Sequence, residues 1–258
     1  MSTLLAAASL ATLVFCAPGY PGGGGDAQPL VDQFATAAAA ASGWPAGSLA
    51  AVYDPTEEGG LAKLKQADAV LAFVPYPFYV EHAVQLHLKP LVQADVADVG
   101  SEQRWTLVAK SGRLTGPESM AGYTILSVAG YAPDFIRRSA LKGWALPADV
   151  KIEATGQVLS ALRRAAAGES VAVLLDQTQA KALATLPFAA DLKSVMQSAD
   201  LPVAIIAVVG SRVTAERARA LQSGLLKMGH GAGSADSLAP LRLRGFVELK
   251  LPVQTSAP

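Results

Sequence analysis

The sequence predicts an α/β protein with mostly parallel sheets covered by helices. Short apolar runs alternate along the chain with segments of helical spacing, and Gly- and Pro-rich loops separate them. Composition suits a large interior, since 51% of the 258 residues are hydrophobic and only 16% are charged. No internal repeat of fixed period interrupts the alternation.

The elements follow in order. Residues 12–16 read as a strand, ended by Ala17-Pro18-Gly19-Tyr20-Pro21 and the four glycines 22–25. Asp26 caps a helix running to about residue 42, with Leu30, Val31 and Phe34 on its apolar side. Strands are expected at 48–53 and 69–74, with a short helix at 61–66 between them. Pro75-Tyr76-Pro77 opens a helix carrying Tyr79, Val80, Ala83, Val84 and Leu86. Strands at 105–109 and 123–128 come next, and Pro133 falls in a first helical turn, where its missing N–H is tolerated. A strand at 150–154 leads through Thr155-Gly156 into a helix carrying Val158, Leu159 and Leu162. The strand at 171–175 closes on Asp176-Gln177, and the strand 203–209, the helix 215–228 and the strand 245–250 complete the chain. In open α/β sheets of this kind, ligands sit at the carboxyl ends of strands.

Charge narrows the function. The 21 basic and 21 acidic side chains cancel, so the basic face that displaces counterions from nucleic acid is not expected. Cys16 is the only cysteine, which excludes an internal disulfide and a cysteine-based metal site. His82 and His87 are five apart and do not share a helix face as a metal pair would. Residues 4–11 are apolar and end in Ser9-Leu10-Ala11, a form that signal peptidase accepts, but no basic residue precedes them. Residues 1–11 are therefore read either as an atypical export signal or as the start of a cytoplasmic chain. No other stretch is apolar for the roughly 20 residues that span a bilayer.

The glycine run 22–25 has two open readings: a loop presenting backbone N–H groups to a ligand, or a flexible connection. It lacks the Lys-Ser/Thr of a phosphate-binding loop. Residues 22–27 also fit the loose dinucleotide pattern G-x-G-x-x-A, with Asp54 placed to bind a ribose, which keeps an NAD(P)- or nucleotide-dependent enzyme as the alternative. Tyr20, Tyr76, Phe78 and Tyr131 fall where strands hand over to helices, so they either contact a ligand or pack the rim of a cleft. Asp176 either meets a polar ligand group or caps the following helix.

The layout resembles the type II periplasmic solute-binding proteins of ABC importers, particularly the phosphate, phosphite and phosphonate branch. The resemblance is carried by Ala-Gln-Pro-Leu-Val-Asp at 27–32, Trp-Thr-Leu-Val-Ala-Lys at 105–110, Met-Ala-Gly-Tyr at 120–123 and Leu-Ser-Ala-Leu-Arg-Arg at 159–164. It implies a two-lobed fold, with residues 12–110 and 201–258 in the first lobe, 111–200 in the second, and crossings near 107–111 and 201–204. It further implies a small-molecule ligand, such as an oxyanion, captured for a membrane permease, without a catalytic residue, cofactor or metal. The contacts expected are Gly19, Tyr20, Gly22, Tyr76, Phe78, Gly130, Tyr131, Thr155 and Asp176. The chain departs from the branch in offering Gly, Pro and Tyr where hydroxyls commonly hold the anion. A sensor or orphan binding domain on the same fold is the third reading.

Overall fold

The computed structural model describes residues 10–19, 24–230 and 235–250. Two sheets organise them. The first begins with β1 (Ala11–Cys16), α1 (Gly24–Ala41), β2 (Leu49–Asp54), α2 (Glu57–Leu64), β3 (Ala69–Pro75), α3 (Tyr76–His82) and β4 (Leu88–Val96). The chain leaves through β5 (Glu102–Gln103) and enters the second sheet as β6 (Thr106–Lys110). Next come β7 (Thr124–Ser127), α4 (Pro133–Phe135) with a wider turn at Ile136–Ala140, β8 (Lys151–Ala154), α5 (Val158–Ala167), β9 (Val171–Leu175), α6 (Gln177–Leu183) and β10 (Leu192–Gln197). It returns through β11 (Leu201–Pro202) to β12 (Ala204–Val209), α7 (Ala215–Lys227), α8 (Ala235–Leu238) and β13 (Leu243–Val247).

The first sheet has the order β13-β4-β12-β3-β1-β2 and the second β10-β6-β9-β7-β8. Each is mixed. The β1, β2, β3 trio and the β7, β8, β9 trio are parallel, whereas β12, β13, β6 and β10 join antiparallel. Crossing from one sheet to the other reverses the chain without a covering helix, so an antiparallel neighbour results. Between the sheets β5 and β11 pair antiparallel, Leu201 opposite Gln103 and Pro202 opposite Glu102. Residues Thr106–Lys110, placed by the sequence at the end of the first lobe, pair with β9 and β10 of the second sheet. The chain thus passes from the first sheet to the second between Val96 and Thr106.

Alternation within β1 explains the layering. Leu13 and Phe15 pack with Val31 and Phe34 of α1, while Val14 and Cys16 face the other side with Leu64 of α2. A second consequence is a break of direction between β1 and β3, where the connections leave to opposite faces, so the carboxyl ends there open a crevice. Strand β4 lacks a sequence signature because Pro90, Gln93 and Asp95 interrupt its apolar run. Pro90 is accommodated where the register with β12 shifts. The helix opened by Pro75-Tyr76-Pro77 ends at His82, which leaves Val84 outside it and exposed.

One apolar cluster runs through both sheets, joining Val14, Val74 and Ile205 of the first to Leu107, Ile125 and Leu174 of the second. Its seam is aromatic: Phe135 meets Tyr76 edge-on at 6.0 Å and Trp105 at 5.2 Å.

Candidate ligand cleft

The carboxyl ends of the parallel trios meet across a cavity of about 230 Å3. The first sheet contributes Pro18 and Gly19 after β1, and Pro55, Thr56 and Glu57 after β2. The second contributes Val128 and Tyr131 after β7, and Ala154 at the end of β8 with Thr155 and Gly156 after it. Of the residues the sequence proposes as contacts, Gly19, Tyr131 and Thr155 are thus brought together. Gly19 has a φ of 81° and its missing side chain matters twice, since a Cβ would stand 2.6 Å from the Val128 carbonyl oxygen across the cleft. Gly130 lies beside them but is buried, with its Cα against the Glu153 carbonyl, so it fixes the path of the backbone into Tyr131. Thr155 donates its backbone N–H to the Ser127 carbonyl at 2.9 Å, and its hydroxyl accepts from the Gln157 amide at 3.0 Å.

Three other expected contacts sit elsewhere. Tyr76 is buried in the aromatic seam, ring-stacked on Tyr79 at 6.2 Å. Its phenol is pushed up to about 12, first by burial and then by Tyr79, against a hydrogen bond with Ser139. Phe78 is fully buried, its ring 4.6 Å from that of His82. Both line the packing between elements, because an apolar ring at a helix start is drawn into the core when two sheets close over it. Asp176 caps α6: its carboxylate accepts from the Gln179 amide at 2.8 Å while its own N–H donates to Gln179 Oε1 at 3.1 Å. Burial raises that carboxyl above its ordinary value, partly opposed by the amides of Gln179 and Thr178. Tyr20 and Gly22 lie outside the described residues.

Thr56 and Glu57 escaped the sequence reading, although a strand end followed by Thr and two acidic residues is a helix-start signature. Thr56 accepts from the Gly59 amide at 3.1 Å and donates to Asp54 Oδ1 at 2.7 Å. Glu57 Oε1 lies 2.8 Å from His82 Nε2. Asp54 pairs with Lys63 and with the amide and hydroxyl of Thr56, and Gly59 is packed against its carboxylate. A ribose-binding acid must present its oxygens to two hydroxyls, and both Asp54 oxygens are engaged locally, Oδ1 by Thr56 and Oδ2 by Lys63. This removes the main support for the nucleotide reading of residues 22–27.

The charge of the cleft is one-sided. Glu57 is the one ionisable carboxylate or base among its described lining residues, and that lining includes no Lys or Arg. Basic side chains gather instead beside the crossing, where Arg104 and Lys181 border a cavity of about 440 Å3 with Thr106, Gln177 and Gln197. Arg104 is committed to Asp200 through two bonds of 2.7 and 3.0 Å. Among the described residues no group of three or more His, Cys, Asp or Glu is placed to hold a metal ion. No helix among them is long and apolar enough to cross a membrane.

No protein-family model and no curated protein sequence matches the chain. Solved structures do match over nearly its whole length. A Xanthomonas citri protein bound to ATP superposes with a TM-score of 0.66 at 13% identity, covering 94% of this chain and 92% of that one. The fold is that of the type II periplasmic binding proteins. The binding component of an ABC phosphonate transporter from Pseudomonas aeruginosa shares this binding-protein fold with a TM-score of 0.54 at 15% identity, over 92% of this chain and 81% of that one. An ancestral arginine-binding protein bound to arginine gives 0.52 at 16% identity, over 89% and 97%. The binding-protein fold therefore serves ligands as different as ATP and arginine, and the ligand of this chain has to be argued from its own residues.

Proposed function

We propose that the protein is a solute-binding protein that captures a small molecule between two lobes and presents it to the permease of an ABC importer outside the cytoplasm. The observation that carries this reading is the cavity at the carboxyl ends of both parallel trios, walled by both sheets and containing Gly19, Tyr131 and Thr155. In this reading residues up to β5 and from β11 onward form one lobe, β6 to β10 form the other, and the β5–β11 pair is the hinge. The function is differential binding to the closed arrangement, so no residue is assigned a catalytic role. An export signal within residues 1–11 belongs to the same proposal.

Thermal melting against phosphate, methylphosphonate, sulfonates, amino acids, small amines, neutral sugars and NAD(P) tests it. A bound solute at 100 times its dissociation constant adds about 2.7 kcal/mol of stability, a readily visible shift. Tyr131→Ala is expected to weaken that solute by about tenfold while leaving the unliganded melting temperature within a few degrees. A stabilising response to NAD(P) alone would overturn the reading in favour of the enzyme.

A further inference from the structure

We infer that the cleft takes a small amine-bearing solute, with Glu57 holding the ammonium, rather than an oxyanion. The inference rests on the solute-binding reading and specifies its ligand. An anion docking at the carboxyl edge of such sheets needs a basic side chain or an open helix start. The described lining supplies no basic side chain. Three helix starts at these edges are already served by the chain's own acids or hydroxyls, whereas α5, behind the Thr155-Gly156 turn, has no side-chain cap. At α2, Thr56 caps the helix and Glu57 and Glu58 occupy its first turn. At α4, the Asp134 amide donates to Glu81 Oε2 at 2.9 Å, an acid supplied by the opposite lobe. At α6 the cap is Asp176. A phosphonate entering here would face the Glu57 carboxylate with no basic side chain in the described lining to offset it.

The same arrangement suits a cation. The Glu57 side chain remains 31% exposed and its Oε1 is oriented by His82 Nε2, while Oε2 has no hydrogen-bond partner among the described residues. Opposite it stand Tyr131 and the Thr155-Gly156 turn leading into α5. A molecule with an ammonium at Glu57 and a neutral or carboxylate end toward that turn spans the cavity from one lobe to the other.

Titration of the full chain with ethylamine, glycine, alanine, methylphosphonate and glucose, read by calorimetry and melting, tests the assignment. Saturable binding of the amines is expected, and Glu57→Gln should weaken it about tenfold or more, because the amide keeps the shape and the contact with His82 but not the charge. Ethylamine binding as well as glycine assigns recognition to the ammonium alone; glycine binding better adds a contact for its carboxylate. Amine binding that Glu57→Gln leaves unchanged overturns the inference. Binding of methylphosphonate or glucose without the amines overturns it too, yet leaves the solute-binding reading intact. Silence toward every probe overturns both.

Discussion

Asp54 shows how a single side chain can be read two ways from sequence and one way from structure. At the end of a strand behind a glycine run, an acid suggests a ribose contact, but its partners are Thr56 and Lys63 on the helix it precedes. Burial pushes its carboxyl up, and the Lys63 ammonium together with Thr56 more than offsets this, leaving it below the ordinary carboxylate range. A depressed folded value means that Asp54 adds stability at neutral pH, which is lost as pH falls below about 4 through that value. Asp54→Asn should therefore cost about 1–2 kcal/mol at pH 7 and progressively less on acidification, as measured by urea unfolding across pH. A constant deficit at all pH values would assign the loss to packing. Gly60 belongs to the same corner: its Cα lies against the Cys16 side chain, which is how α2 approaches β1 closely enough to bury a thiol. Nothing in the spacing of Gly59-Gly60 announces that approach.

At the scale of elements, the short helix α4 is informative because its start is held by a residue of α3, which follows β3 of the first sheet. Glu81 stands in the last turn of α3, and its carboxylate accepts from the Asp134 amide. Burial raises the Glu81 carboxyl above its ordinary value, with the Asp134 and Phe135 amides opposing. The sign here is the reverse of that at Asp54: the raised value makes this group's contribution fall as pH rises through the carboxylate range. Glu81→Ala should lower stability by about 1 kcal/mol and increase the radius of gyration in solution scattering, whereas Glu81→Gln keeps an acceptor for the amide and should stay compact. If both variants scatter like the parent, the contact does not hold the lobes together. The helices α1, α5 and α7 were legible as helical patterns, although Asp26 falls in the first turn of α1 and does not cap it, while α2, expected at 61–66, starts at Glu57 behind the Thr56 cap. Strands β4 and β10 were not, because each carries polar or proline residues that its neighbours tolerate at an irregular register.

Across the whole molecule, the seam of Tyr76, Trp105 and Phe135 makes one cluster of what the sheet topology divides into two. Separating the sheets would expose these rings, at about 25 cal/mol for each Å2 of apolar surface. The protein is therefore expected to unfold in one transition, with calorimetric and van't Hoff enthalpies equal; two resolved transitions would show lobes that fold independently. The sequence by itself determined the α/β class and the loops that follow β1, β7 and β8, because strand burial and helix periodicity are written in consecutive residues, whereas it expected mostly parallel sheets and the structure mixes parallel trios with antiparallel neighbours. It also placed Gly19, Tyr131 and Thr155 at those ends. Only the tertiary structure decided that these three share a cavity with Thr56 and Glu57, that Tyr76 and Phe78 are packed inside, and that β6 belongs to the second sheet. Strand direction at a crossing and the partner of a buried ring depend on contacts between residues distant in the chain, such as Glu81 with Asp134 and Thr106 with Leu175, and no local pattern encodes them.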